Sequence, residues 1–187
     1  MELLLFMVVV GSVLWFLGAA IESGHKIDPA KLAADLKVAL GRGDSIKARR
    51  LLKTLPEWKA VDSLKRVAGN TCDLRRDMDA AVQAGVSQGL LGPLPHVIGR
   101  NDEIVITIAR KVAALALQSE RKLKKLPPAA RDLLDADVRR LEYINQASQT
   151  VRNSLLIATA SIQGDDAVGR ADALEAFGRA LHELGNG

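Results

Sequence analysis

The sequence has few aromatic residues and almost no cysteine, and each shortage excludes something. Aromatic side chains make up 3% of the 187 residues. Because strands depend on aromatic and β-branched residues, this composition favours helices over sheets. Cys72 is the single cysteine, so an intrachain disulfide is excluded and a reducing compartment suits the chain. We expect Cys72 at a helix start, either as a small apolar residue or with a lowered thiol pKa.

The sequence also lacks the residue patterns that support catalysis or bind cofactors and metals. Its three histidines are widely separated, no His or Cys pair has metal-ligand spacing, and no glycine-rich phosphate loop occurs. Gly85 to Gly89 matches G-x-S-x-G around Ser87. That motif needs a strand before the serine, whereas the residues before it here are helical in character. We therefore predict no catalytic residue, cofactor or metal, no small-molecule substrate, and a protein that is not an enzyme.

Positive charge is concentrated in one stretch of the chain. Residues 22–66 carry eleven Lys and Arg against six Asp and Glu, a net +5, whereas residues 67–187 carry fifteen of each sign. A nucleic-acid partner is disfavoured because the aromatics that stack on bases are scarce. A basic stretch beside an apolar one fits anionic lipid better. The predicted lipid-facing residues are Lys26, Lys31, Lys37, Arg42, Lys47, Arg49, Arg50 and Lys53.

One long hydrophobic run, Leu3 to Ile21, stands before this basic stretch. It holds nineteen residues with no charged side chain, and Ser12 is its one hydroxyl or amide residue. A helix of this length spans roughly 28 Å, close to the thickness of a bilayer core. A cleaved signal peptide is an alternative, with Gly18-Ala19-Ala20 as its cleavage site, but it lacks a basic start. A buried core helix is the third interpretation. The run favours a single-pass signal-anchor over residues 1–22.

The flanking charges predict an orientation for this anchor. No Lys or Arg precedes the run, and the basic stretch follows it. Since flanking Lys and Arg stay in the cytoplasm, the N-terminus is predicted outside and the rest of the chain inside. The alternative location is export after signal cleavage.

Short basic helices are predicted over residues 23–63. Asp28-Pro29 reads as a helix cap followed by proline in the first turn. The predicted helices cover 29–40 and 45–54, and a third begins at Pro56. Their amphipathic character leaves two placements open, on the membrane surface or against the rest of the domain.

Long helices are predicted over residues 64–187. A heptad-like stripe starts at Leu64 and runs towards residue 90, with Gly69-Asn70 as a candidate interruption. A Gly/Pro-rich linker follows, up to Arg100. The remaining helices are predicted over 102–125, 129–162 and 168–184. The expected fold is all-α: a transmembrane helix, short juxtamembrane helices and an antiparallel bundle with coiled-coil-like stripes.

These features predict a structural role. We expect a membrane-anchored bundle that acts as a scaffold or adaptor at the cytoplasmic face, with the lipid bilayer and a protein partner or a second copy as partners. The alternative is an accessory subunit of a larger membrane complex, which the broad apolar surface of 102–125 favours. An exported bundle and an enzyme are further alternatives.

Overall fold

The computed structural model describes residues 27–118, 128–164 and 167–186, and this part of the chain is all-helical. Helix α1 spans Pro29–Gly41 and α2 spans Ser45–Leu52. The longer helices are α3 (Lys59–Gln83), α5 (Leu94–Gln118), α6 (Pro128–Gln163) and α7 (Ala167–Asn186), and the four-residue α4 is Gln88–Leu91. No described residue lies in a strand. The prediction of an all-α fold is confirmed for these residues.

The hydrophobic run Leu3 to Ile21 lies outside the described residues, as does Lys26. Among the helices that are described, none has both the length and the hydropathy needed to cross a bilayer.

The long helices form a bundle in which successive members run in opposite directions. Hydrogen bonds join α3 to α6 in parallel, at Asn70 to Asn145 and at Asp77 to Arg152. Helix α5 runs antiparallel to α6, since Lys111 meets Asp137 and Asn101 meets Ser148. Helix α7 returns along α6, where the hydroxyl of Tyr143 donates to the carbonyl of Glu183.

The two short helices pack into the bundle. Leu32, Leu36 and Leu40 of α1 are buried in the same hydrophobic cluster as the first half of α3 and the second half of α5. Ala48 and Leu52 of α2 belong to that cluster too. Burying each leucine contributes roughly 1.5–3 kcal/mol, so both helices are held by the bundle rather than resting beside it. The boundary predicted at residue 63 falls inside α3.

Two glycines with positive φ end helices and set the turns. Gly43 (φ 67°) follows α1, and Asp44 N–H then donates to the carbonyl of Ala39. Gly85 (φ 92°) follows α3, and Val86 N–H donates to the carbonyl of Ala81. Both are Schellman caps, which need a left-handed residue and therefore favour glycine. The first turn leads directly into α2, because the Asp44 carboxylate caps Lys47 N–H at 2.8 Å.

Three sequence predictions about α3 are wrong. No separate helix starts at Pro56, and Gly69-Asn70 interrupts nothing, because α3 is continuous from Lys59. Gly69 is covered by the Arg49 side chain, and Asn70 hydrogen-bonds to Asn145, so contacts with other helices stabilise this stretch. The helix also stops at Gln83 rather than near residue 90, because the Gly85 cap ends it.

The linker predicted up to Arg100 is wrong as well. Helix α5 already begins at Leu94, and its first-turn Pro95 is tolerated because the first N–H groups of a helix have no partner inside it. Leu94 and Ile98 are buried, so the start of α5 is held by the core. The Gly and Pro residues before Arg100 predict a loop, but Pro95 lies in the first turn of a helix.

Candidate functional site

A layer of polar side chains crosses the bundle between two separate hydrophobic clusters. One cluster runs up to Cys72 on α3 and Ile144 on α6, and the other resumes at Leu74 and Val151. We call the polar residues between them the polar belt. Its members are Asn70, Asp73, Arg75 and Asp77 of α3, Asn101 and Asp102 of α5, and Asn145, Ser148 and Arg152 of α6.

An ion pair between α3 and α5 lies in the polar belt. Arg75 Nη2 donates to Asp102 Oδ2 at 2.6 Å, and the Asp102 side chain is 13% exposed. Burial raises the pKa of the Asp102 carboxyl to about 6, although the Arg75 guanidinium opposes this change. Neither Arg75 Nε nor Asp102 Oδ1 meets a hydrogen-bonding group among the described residues. The pair is therefore incompletely satisfied, which explains why burial outweighs the attraction.

Cys72 lies one turn before Arg75, in the middle of α3 and fully buried. Burial, reinforced by the negative charge of Asp102, raises the pKa of its thiol to about 11. The predicted position at a helix start is wrong, and so is a lowered thiol pKa. Because only the thiolate is a good nucleophile, this cysteine is a core residue and not a reactive one.

The other members of the polar belt are paired between helices. Arg152 Nε of α6 donates to Asp77 Oδ2 at 2.5 Å, and its Nη1 reaches Asp73 Oδ2 at 3.4 Å. The Asp77 hydrogen bond raises the pKa of the Arg152 guanidinium further above its usual range. Asn101 donates to Ser148 Oγ at 3.2 Å, where both side chains are buried. These contacts fix the lengthwise register of α3, α5 and α6, because a shift of one turn would leave buried polar groups unpaired.

The polar belt offers little chemistry beyond this alignment. In the described part of the chain no group of three or more His, Cys, Asp or Glu side chains could hold a metal. Its carboxylates face cations from neighbouring helices, and the thiol of the adjacent core residue Cys72 is held protonated. We therefore assign the polar belt to the specification of the fold.

The sequence could not identify the polar belt. The pair Asn101-Asp102 predicts a helix start, since Asn and Asp are common caps. In the structure they sit a full two turns inside α5 and face other helices. The one available signal is a polar residue within a predicted apolar face, since Ser148 lies in the stripe of the helix predicted over 129–162.

The G-x-S-x-G motif forms a helix cap. Ser87 stands before α4, and its Oγ accepts from Leu90 N–H at 3.4 Å. The residues before it form the end of α3 and its glycine turn, not a strand. The nucleophile geometry that this motif requires is therefore missing around Ser87.

Seven of the eight predicted lipid-facing residues are described, and all seven are exposed. Lys31 and Lys37 belong to α1, and Arg42 caps its C-terminus. Lys47, Arg49 and Arg50 belong to α2, and Lys53 caps it. Four of these cations therefore lie in or directly after α2: Lys47, Arg49, Arg50 and Lys53. Arg49 differs from the rest, since its guanidinium lies against Gly69 of α3.

An open groove of about 690 Å³ lies between α4 and α7, in the half of the bundle that contains the second hydrophobic cluster. Leu90, Ala171 and Leu174 give it an apolar floor, and Glu175, Arg179 and His182 stand along it. Its charged residues are of both signs, so it selects no ligand class by charge.

The chain was compared with protein families, with curated proteins and with solved structures, and no match was found.

Proposed function

We propose that this protein is a membrane-anchored helical bundle that serves as a structural or interaction component at the cytoplasmic face of a membrane. The observation that carries the proposal is the hydrophobic run Leu3 to Ile21, nineteen residues without a charge and followed by a segment of net charge +5. The length of the run supports a bilayer crossing, and the excess of Lys and Arg after the run supports an N-terminus outside the cytoplasm.

The packing of the bundle supports a structural role. Its buried polar groups pair with one another across helix interfaces, as residues that specify a fold do. Seven exposed cations lie between Lys31 and Lys53, in the part of the described chain that follows the hydrophobic run. A rigid bundle tethered next to a bilayer suits the presentation of surfaces to partners.

A second candidate function is that of an accessory subunit of a larger membrane complex. The broad apolar surface predicted to favour it is covered, since Ile104, Val105 and Ile108 of α5 are buried in the bundle. A different observation favours it: adjacent Leu156 and Ile157 of α6 are 46% and 60% exposed. A contiguous exposed apolar patch marks an interface with another protein, and these two residues are the candidates for such a patch on α6.

Membrane extraction of the full chain tests the anchor. We expect the protein to stay with membranes in alkaline carbonate, and its mature N-terminus to include the run. Val9→Lys with Val10→Lys should release it, since each lysine at the centre of a spanning helix costs about 2.5–3.5 kcal/mol. The matched control, Gln146→Lys with Gln149→Lys, adds the same charge to exposed positions of α6 and should stay bound. A mature chain starting near Ala20 would contradict the anchor.

Orientation is tested with single cysteines in a Cys72→Ala background. Gln149→Cys is exposed on α6 and should react with an impermeant maleimide only after cells are opened. Glu2→Cys precedes the run and should react in intact cells. The opposite pattern would place the bundle outside and overturn the cytoplasmic assignment.

A further inference from the structure

Helix α2 has an exposed face with an aliphatic centre. Ile46 lies in its first turn and is 72% exposed. The opposite face of the helix carries Ala48 and Leu52, which are completely buried. Ile46 therefore points away from the bundle.

Cations surround this isoleucine. Arg50 and Lys53 follow it by four and seven residues, which places them on the same face of the helix, and Lys47 lies about 100° around the helix, at the edge of that face. All three side chains are exposed, and none forms an ion pair within the described ranges 27–118, 128–164 and 167–186. The helix itself contains no acidic residue. We call Ile46, Lys47, Arg50 and Lys53 the α2 face.

Arg49 does not belong to the α2 face, although the sequence groups it there. Its guanidinium packs against Gly69 of α3, where a side-chain carbon would come within 3.0 Å of Cζ. This contact places the Arg49 guanidinium over α3, although the residue as a whole is exposed. The structure therefore distinguishes Arg49, whose guanidinium lies against α3, from the three other exposed cations of this helix.

An apolar centre surrounded by cations fits one kind of surface. Interfacial helices place aliphatic residues among lipid headgroups while Lys and Arg reach the phosphates through their flexible stems. A protein interface of ordinary size buries about 800 Å² on each partner and is usually anchored by aromatic residues together with arginine. The α2 face has no aromatic residue and spans roughly 12 Å, the length of an eight-residue helix, so it is too small for that purpose.

We propose that the α2 face docks on the anionic lipid leaflet next to the anchor. Ile46 enters the headgroup region, and Lys47, Arg50 and Lys53 bind lipid phosphates. The proposal rests on the proposed function, because only 24 residues separate Ile21 from Ile46 and a chain anchored at the run keeps α2 within reach of the bilayer. Tethering raises the effective lipid concentration, so this weak contact suffices to orient the bundle.

The test uses the full chain in lipid nanodiscs, with a polarity-sensitive fluorophore at position 46. The chain carries Cys72→Ala and Ile46→Cys, so the probe attaches at one site. Nanodiscs are made from phosphatidylcholine alone or with about one third phosphatidylserine, the lipid whose charge attracts basic segments. We expect a blue-shifted emission, and quenching by brominated lipid, only in the discs that contain phosphatidylserine.

Charge-neutral variants identify the residues responsible. Lys47→Gln, Arg50→Gln and Lys53→Gln together should lower the ratio of docked to undocked α2 by roughly a hundredfold, at about fivefold for each cation near an anionic surface. The matched control is Arg131→Gln, Arg139→Gln and Arg140→Gln, which removes three exposed cations from α6. The control should keep the blue shift.

The outcomes separate this proposal from the anchor. A chain that is retained in nanodiscs of both compositions, but whose probe never changes, keeps the anchor and overturns docking by the α2 face. A chain that is not retained in neutral nanodiscs overturns the anchor, and phosphatidylserine-dependent capture with a blue shift then still supports the α2 face. Equal blue shifts in neutral and anionic lipid, or a shift produced by polyglutamate and not by lipid, overturn the proposal.

Discussion

Arg75 of α3 donates a hydrogen bond of 2.6 Å to Asp102 of α5 at the level where the two hydrophobic clusters of the bundle meet. Each partner keeps one polar atom, Nε or Oδ1, that no described group meets. A buried pair of this kind contributes little net stability, because desolvation offsets most of the attraction. Its clearest effect is on alignment, since no other register of α3 and α5 places the two charges together.

The Asp102 carboxyl makes the stability of the bundle depend on pH. Its pKa rises from 3.8 to about 6 in the folded chain, so the folded chain holds a proton more tightly than the unfolded chain between these values. This contribution to stability is complete below pH 4 and is lost as the pH rises to 6, by an amount on the order of 1–3 kcal/mol. Asp102→Asn has no proton to lose there. The difference in unfolding free energy between the native chain and Asp102→Asn should therefore fall over this range.

Urea unfolding of the full chain in detergent, followed by circular dichroism at pH 4, 5, 6 and 7, measures that difference. Asp132→Asn is a suitable control, because Asp132 is an exposed carboxylate on α6. A difference that stays constant from pH 4 to 6 for Asp102→Asn would contradict the assignment of this carboxyl.

The Cys72 thiol should react slowly while the protein is folded. Its pKa is about 11 against an ordinary value of 9.0, so the thiolate fraction at pH 8 falls about a hundredfold, and burial hinders access further. Reaction with an aromatic disulfide reagent at pH 8 should be at least about a hundredfold slower in buffer than in guanidinium. Rapid labelling of the folded chain would show that α3 opens at Cys72. A cysteine introduced at exposed Gln149 provides the fast reference rate.

The sequence predicted most of the helices because the helical period is strong in them. The predicted spans 29–40, 129–162 and 168–184 each lie within one or two residues of an observed helix. Capping residues supported these predictions, and Asp28 does cap α1 by accepting from Ala30 N–H. In these segments the capping residues and the hydrophobic period predict the same helix.

The sequence failed where tertiary contacts decide the structure. Gly69-Asn70 is a candidate break in the sequence, and only the placement of Arg49 from α2 shows why a side chain is missing at Gly69. Asn101 is a residue type that commonly caps helices, but its side chain donates a hydrogen bond to Ser148, which lies 47 residues later in the chain. The polar belt is formed by residues from three helices, so no local pattern identifies it.

The Asn101–Ser148 hydrogen bond should show energetic coupling. Asn101→Ala and Ser148→Ala each leave one buried group unpaired, which costs about 1–3 kcal/mol of unfolding free energy. The double variant should cost less than the sum of the two, by about 1 kcal/mol, since no unpaired partner remains. Urea unfolding in a Cys72→Ala background measures the unfolding free energies of the parent chain, the two single variants and the double variant. The control is Thr150→Ala, at an exposed position on the same helix, which should change the unfolding free energy by less than about 0.5 kcal/mol. If the costs of Asn101→Ala and Ser148→Ala simply add in the double variant, the hydrogen bond is contradicted.

The contact between Arg49 and Gly69 should determine the effect of adding a methyl group to α3. Gly69→Ala favours a helix by about 0.5–1 kcal/mol, because glycine loses more backbone entropy on folding. The new carbon would press on the Arg49 guanidinium, however, and the side chain must move away. We expect a clear gain in unfolding free energy for Gly69→Ala only in an Arg49→Ala background, and a smaller gain or a loss when Arg49 is present. Arg50→Ala is the matched control, since Arg50 projects from the α2 face and should not alter the effect. Equal gains in all three backgrounds would place Arg49 in solvent and return it to the group of cations available for lipid.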